Sequence, residues 1–159
     1  MRFAQVRTGR QFVLALDHGE DFLGGLTQFC ADQGIRAAYL PTFVGGFRAA
    51  RLVGSCGPLA DPEAPLWEEI TVETLEALGG GTLAWDSEKN CLAPHIHVAA
   101  GLKAKSAEGR VSHLLDATVQ FICEIPIVEV VDDSDGPALM RRRSADLYDV
   151  PLLAFGTGI

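Results

Sequence analysis

The chain has 159 residues, of which 48% are hydrophobic and 21% are charged, a composition typical of one globular domain and not of a disordered chain. Acidic residues outnumber basic residues by 21 to 13, so the net charge is −8, and this charge opposes binding to nucleic-acid phosphates. No apolar run reaches the ~20 residues that a membrane helix needs, and the N-terminus lacks the apolar core of a signal peptide. We therefore expect a cytoplasmic protein with no membrane contact, for which nucleic acid is an unfavourable partner.

The first elements in the chain are a predicted strand and a predicted helix. Residues 11–16 are an apolar run that predicts a strand. Asp17, with Glu20 at capping-box spacing, predicts the start of a helix, and apolar residues recur behind it at helical spacing. Gly34 is placed to end this helix in a left-handed conformation.

A hairpin and a loop are predicted next. Residues 36–43 and 47–53 predict two strands, and Gly45-Gly46 between them is a turn signal. Residues 55–65 contain three prolines, so this stretch is expected to be a loop or an edge segment.

Two further strands are predicted in the middle of the chain, at residues 66–78 and 93–100, with a short strand at 82–85 between them. The triple glycine at 79–81 is expected to break or kink the first of them. The small and charged residues at 101–109 predict a loop after the second.

The last long element is the most strand-like of all. Residues 118–131 are β-branched and apolar, and Pro126 within them predicts an edge position or a bulge. We expect residues 1–140 to form the domain, and residues 141–159 to form a tail that packs on its own core or on a neighbouring subunit. The tail begins with three arginines, 141–143, which follow several aspartates and are expected to be solvated or salt-bridged.

Two histidines carry the strongest chemical signal. His95 and His97 are two apart in a predicted strand, so both side chains leave the same face, while Ile96 and Val98 point into the core. Two imidazoles on one face can share a divalent ion, and imidazole suits zinc. Both must be neutral to bind, so affinity should fall below about pH 6.5. The alternative interpretation is a polar outer face on a half-exposed strand.

A third histidine extends the pair. His113 lies sixteen residues after His97, where the return of a hairpin could place it beside the first two. Three histidines with one open position are the pattern of catalytic zinc. Cys91, four residues before His95, is another possible ligand, although we favour its interpretation as a buried, reduced thiol.

Six short segments of the chain follow one another in the order of a known domain. They are residues 17–21 (DHGED), 34–35 (GI), 45–47 (GGF), 73–81 (ETLEALGGG), 95–98 (HIHV) and 113–115 (HLL). In this order they resemble the PPC domain (plants and prokaryotes conserved, DUF296), and the resemblance covers roughly residues 9 to 131. One departure is Val111-Ser112, where the family usually has two glycines before the third histidine.

The resemblance implies a compact α/β domain with a bent, mixed, largely antiparallel sheet and one main helix, assembled as a homotrimer with sites near subunit contacts. It implies that His95, His97 and His113 are metal ligands, with zinc as the expected cofactor. It also implies that Glu73 orients a ligand or acts as general base on a metal-bound water. The alternative for Glu73 is an exposed strand carboxylate.

Three functional hypotheses follow from these observations. The first is a metal-binding PPC protein of undetermined activity. The second is a zinc-dependent lyase or hydrolase acting on a small oxygenated substrate, because the PPC fold is similar to that of acetolactate decarboxylase, which uses three histidines and zinc. The third is a regulatory, DNA-associated module. Plant members of the family bind DNA through a separate AT-hook, and no such motif occurs in this sequence.

Overall fold

The computed structural model of the chain describes residues 1–54, 68–103 and 105–155. The predicted loop at 55–65 lies outside these residues. The elements, in chain order, are β1 (Arg7–Asp17), α1 (Phe22–Asp32), β2 (Ala37–Val53), β3 (Glu69–Asp86), β4 (Cys91–Leu102), β5 (Lys105–Val131), β6 (Leu139–Arg142), a 3₁₀ turn (Ala145–Leu147) and β7 (Leu152–Phe155).

Four of the strands pair with one another in a closed ring. β2 pairs with β3, β3 with β4, β4 with β5, and β5 with β2, all antiparallel. β1 is added antiparallel to the second half of β5, and β6 runs parallel to the end of β3, followed by β7 antiparallel to β6. The predicted fold, a bent and largely antiparallel mixed sheet with one main helix, is therefore confirmed.

The helix starts one turn later than predicted. Its N-cap is Asp21, whose carboxylate accepts the backbone N–H of Leu23 at 3.1 Å. Asp17 is instead the last residue of β1, and its N–H donates to the carboxylate of Glu20, so this pair closes the turn before the helix. Gly34 has the expected left-handed conformation, with φ at +68°.

The predicted turn at Gly45-Gly46 and the predicted break at residues 79–81 are wrong, whereas the alternative of a kink at 79–81 stays a prediction. Gly45 and Gly46 lie inside the continuous strand β2, and residues 79–81 lie inside β3. A Cβ on Gly45 would be 2.7 Å from the Cα of Cys123 on β5, and one on Gly81 would be 2.1 Å from the carbonyl oxygen of His95. These glycines allow neighbouring backbones to approach closely.

β5 is longer than predicted. It begins at Lys105, and β4 continues to Leu102, so most of the loop expected at 101–109 is strand. Pairing between the two strands supplies backbone hydrogen bonds that outweigh the weak β preference of glycine and lysine. Pro126 lies opposite an interruption of the β2–β5 register, which confirms a bulge there, while the alternative edge position is wrong because β5 has a partner on both sides.

The core fills the ring and the space under the helix. Phe22 of α1 contacts Phe43 and Phe47 of β2 with ring centroids 4.9 and 5.2 Å apart. Ile96 and Val98 of β4 are each only 1% exposed, and full burial of such a side chain stabilises the fold by about 1.5–3 kcal/mol. This packing fixes the orientation of β4 and sends the alternate side chains outwards.

The C-terminal segment pairs with the sheet of its own chain. Met140 and Arg141 lie opposite Trp85 and Asp86 of β3 in a parallel register. The expected boundary between residues 140 and 141, and docking on a neighbouring subunit, stay predictions. None of the helices in the described residues is both long and apolar enough to cross a bilayer, and the cytoplasmic location also stays a prediction.

Candidate metal centre

The register of β4 and β5 brings the three predicted histidines together. His97 lies directly opposite His113, and His95 precedes it by two residues on the same face of β4. Ile96 and Val98 are buried on the other face, so the same-face prediction for the histidine pair is confirmed. The three imidazoles form one cluster on the outer face of the sheet, which we call the histidine cluster.

The spacing within the histidine cluster fits a small divalent ion. The Nε2 atoms of His95 and His97 are 3.2 Å apart, and one ring nitrogen from each of the three residues lies within 4.8 Å of the others. Tetrahedral zinc with Zn–N bonds of about 2.0–2.1 Å places ligand nitrogens about 3.3 Å apart. The donor set, three imidazoles without a carboxylate, is that of zinc sites with one open position.

The electrostatics favour neutral imidazoles, the form that binds metal. Desolvation lowers the pKa of His113 to about 4, and the charges of His95, His97 and Arg141 act in the same direction. His95 remains partly open to solvent, yet desolvation of its ring also lowers its pKa, with further lowering by Arg141 and His97. Proton competition for these two ligands is therefore weaker than for free histidine.

A cavity of about 400 Å³ opens beside the cluster. Its lining includes the histidines and Val53 at the end of β2, together with Val150 and Pro151 of the C-terminal segment. We call this cavity the histidine pocket. Pockets of this volume accommodate small organic ligands.

Arg141 also lines the histidine pocket, and the sequence analysis missed it. Its residue surface is only 2% exposed, so the expectation of a solvated or salt-bridged side chain is wrong for this arginine. Arg143, by contrast, forms the expected ion pair, with its Nη2 3.1 Å from Asp86. The alternation of buried Leu139 and Arg141 with less buried neighbours is the strand signal that the run of three arginines obscures.

The other two candidate residues lie outside the histidine cluster. Glu73 is exposed, pairs with Ala49, and lies seven residues along β3 from Gly80, which pairs with His97. That separation is roughly 23 Å of strand, and Glu73 does not line the histidine pocket. Cys91 is exposed, contrary to the favoured interpretation as a buried thiol, and pairs with Asp86 at the start of β4.

The departure from the family pattern before His113 is accommodated locally. The hydroxyl of Ser112 donates to the carbonyl of Val53 on β2. The side chain of Val111 is 75% exposed and meets no packing conflict. His113 keeps its position opposite His97 with these residues in place of two glycines.

Comparison with solved structures identifies proteins of the same fold. The structure is similar to a plant- and prokaryote-conserved (PPC) protein from Pyrococcus horikoshii, with a TM-score of 0.77 at 19% identity over 97% of each chain. It is similar to a metal-containing protein from Archaeoglobus fulgidus, with a TM-score of 0.77 at 26% identity over 97% of this chain and 99% of that one. A third, from Ralstonia eutropha JMP134, is described as a candidate DNA-binding protein and has a TM-score of 0.71 at 21% identity over 91% and 90% of the two chains.

The first and third of these likenesses, at such low identity, show the fold alone. Comparison of the sequence with curated proteins gives no match. The family model of the Plants and Prokaryotes Conserved (PCC) domain matches residues 3–131. That match includes all three histidines and covers most of the chain, and so the protein belongs to the PPC family.

Proposed function

We propose that this protein is a metal-binding member of the PPC family, in which His95, His97 and His113 hold a divalent ion, with zinc as the favoured metal. The observation that carries the proposal is the meeting of three imidazoles from two paired strands, with one nitrogen of each within 4.8 Å of the others. The A. fulgidus protein of the same fold, described as metal-containing, supports it.

The site would leave one coordination position open towards the histidine pocket. A zinc ion with three histidine ligands supplies Lewis-acid chemistry and lowers the pKa of a bound water. The chain contributes the three neutral ligands and the cationic side chain of Arg141. The described residues that line the pocket include no carboxylate, so within the described part of one chain no Asp or Glu is placed to act as general base.

This arrangement bears on the alternative of a zinc-dependent lyase or hydrolase. An enzyme needs a cleft beside the metal in which a substrate can bind, and the histidine pocket is such a cleft. Its presence favours that alternative. The predicted base Glu73 lies on another part of β3, so its catalytic role stays a prediction. The activity is undetermined, and the DNA-associated alternative has the acidic net charge of −8 against it.

Metal analysis of the purified protein tests the proposal. We expect wild type purified without added metal, then dialysed against zinc, to hold about one zinc per chain. His97→Ala should hold roughly a tenth of that or less, because loss of a direct ligand costs more than the 10–100-fold typical of its hydrogen-bond partners. His18→Ala is the matched control, since His18 lies outside the cluster and accepts a bond from the Phe121 N–H. Equal, low metal in wild type and His97→Ala would refute the proposal.

We also propose a homotrimer in which a neighbouring subunit covers the sheet beside the histidines. A row of outward-facing apolar residues crosses four paired strands next to the cluster, and its members are Val44, Leu78, Ala99 and Val111. Leu78 and Val111 are 56% and 75% exposed. Neighbouring exposed apolar residues of this kind are typical of a surface that contacts another protein.

Light scattering measures this assembly directly. We expect a mass of about three times the 17.0 kDa of one chain. Leu78→Lys should reduce the mass, because it buries a charge in the proposed contact. Val13→Lys, at an apolar position on β1 that is 77% exposed, should leave the trimer intact. A monomeric wild type would refute this assembly.

A further inference from the structure

Arg141 is a buried cation with neutral partners. Its Nη2 donates to the side-chain and main-chain oxygens of Thr82 at 2.7 and 3.2 Å, and its Nε donates to the carbonyl of Ala93 at 3.4 Å. Among the described residues no carboxylate forms an ion pair with it. Burial lowers the pKa of its guanidinium, as expected when desolvation is not offset by a negative charge.

The buried carboxylate that lies opposite Arg141 in the sheet already has other hydrogen-bond partners. Asp86 lies opposite Arg141 in the β3–β6 register and is 1% exposed. Its carboxylate accepts the N–H groups of Glu88 and Lys89 and pairs with Arg143. The charge of Arg141 is thus left for a group that enters from the histidine pocket, which Arg141 lines.

The rest of the pocket narrows the ligand class. Arg141 lines the same cavity as His95, His97 and His113, so its guanidinium lies close to the histidine cluster. The hydroxyl of Ser112 already donates a hydrogen bond to the Val53 carbonyl. Leu115, Val150 and Pro151 add apolar surface to the lining of the pocket. Buried cations require an opposite charge, and apolar walls favour a short hydrocarbon part.

We propose that the histidine pocket binds a small organic carboxylate, whose charge is matched by Arg141 and whose short apolar part contacts the apolar residues of the lining, Leu115, Val150 and Pro151 among them. The inference rests on the proposed metal site in one respect. Three neutral imidazoles leave a divalent ion with its full positive charge, which adds to that of Arg141 and strengthens the preference for an anion. A planar guanidinium also suits a carboxylate group geometrically.

Calorimetry with butyrate and butyramide as probes tests the proposal on zinc-loaded protein at constant ionic strength. Wild type should bind butyrate at least tenfold more tightly than butyramide, since the two differ chiefly in charge. Arg141→Met should lose most of the butyrate affinity, while Arg142→Met, an equal charge change at an exposed neighbour, should retain it. Equal binding of the two probes to wild type, or equal butyrate binding by Arg141→Met and wild type, would overturn the proposal.

Two further measurements keep the outcome clear. If Arg141→Met does not fold, Arg141→Lys keeps the charge without the planar fork and should bind butyrate more weakly than wild type, and unchanged affinity would count against the proposal. Zinc content is measured in every sample. A protein that holds its full zinc but does not bind butyrate would reject the carboxylate inference and leave the metal site standing. A protein that holds no zinc but binds butyrate through Arg141 would support the carboxylate inference and reject the metal site.

Discussion

The β4–β5 hairpin and the C-terminal segment both line the histidine pocket, but they contribute to it by different means. The hairpin supplies three imidazoles whose positions follow from strand register, with His97 directly opposite His113. The C-terminal segment supplies a single charged group, Arg141, held by hydrogen bonds to β3 and β4. The hairpin lies within the family match at residues 3–131, and Arg141 lies beyond it. This contrast teaches that the proposed metal ligands lie within the residues that the family model matches, while the proposed preference for a charged ligand depends on a segment that the model does not cover.

The largest effect is expected from a change that damages the hairpin side. Gly81→Ala should place a Cβ against the carbonyl oxygen of His95. Because this contact is with backbone atoms of the paired strand, a change of side-chain rotamer cannot relieve it. We expect a loss of about 3 kcal/mol or more in the free energy of unfolding, the upper end of the cost of overpacking, together with reduced zinc content, because the β3–β4 contact under His95 must shift. Chemical denaturation and metal analysis measure the two effects. Gly101→Ala, whose Cβ would meet nothing closer than 3.8 Å, is the control, and equal stability of the two variants would contradict the interpretation.

A smaller effect is expected from loosening the C-terminal side. Arg143 pairs with buried Asp86 and donates to the Asp149 carbonyl at 2.6 Å, just before Val150 and Pro151. Arg143→Met should lower the free energy of unfolding by about 1.5–3 kcal/mol, the range for hydrogen bonds to charged groups. It should weaken butyrate binding yet leave zinc content unchanged, because the hairpin is untouched. Zinc loss in this variant, with Arg142→Met as control, would show that the two sides are not separable.

The smallest effect is the change that removal of the Arg141 charge makes to the pH dependence of stability. The pKa of His113 is about 4 in the folded, metal-free protein and about 6.5 in an unfolded chain. Between these values the unfolded state binds more protons, so this contribution to stability is full above pH 6.5 and is lost as the pH falls through about 4. Arg141→Met should make the dependence shallower, because removing the cation raises the pKa of His113.

Urea denaturation of chelator-treated protein between pH 7 and pH 4 measures this dependence. Arg142→Met should follow wild type, since Arg142 is not among the charges that act on His113. A steeper or unchanged dependence in Arg141→Met would show that the C-terminal charge does not reach the histidine cluster.

Local sequence patterns were sufficient for the parts of the structure that depend on periodicity. The two-residue period of a strand predicted that His95 and His97 lie on one face and Ile96 and Val98 on the other, as observed. The apolar spacing of the helix was also sufficient for its buried face. These predictions succeed because side-chain direction within one element follows from backbone geometry alone.

Features that depend on pairing between distant segments could not be predicted in this way. Glycine marks both turns and close backbone approach, so Gly45 could not be assigned before β2 and β5 were known to pack together. Burial of Arg141 follows from the pairing of β6 with β3, about 55 residues apart in sequence. The meeting of His113 with His97 was anticipated through the family resemblance, because no local pattern defines the register of a strand 27 residues long.

The closed ring of strands gives His113 a mechanical role as well as a chemical one. It is the position at which β5 pairs with both Val53 of β2 and His97 of β4, so it lies at the seam where the ring closes. An ion held as proposed by His97 and His113 would crosslink β4 to β5 at that seam and would stabilise the hairpin against opening. Amide hydrogen exchange in β4 and the first half of β5 thereby becomes a direct reporter of metal occupancy, independent of any catalytic activity.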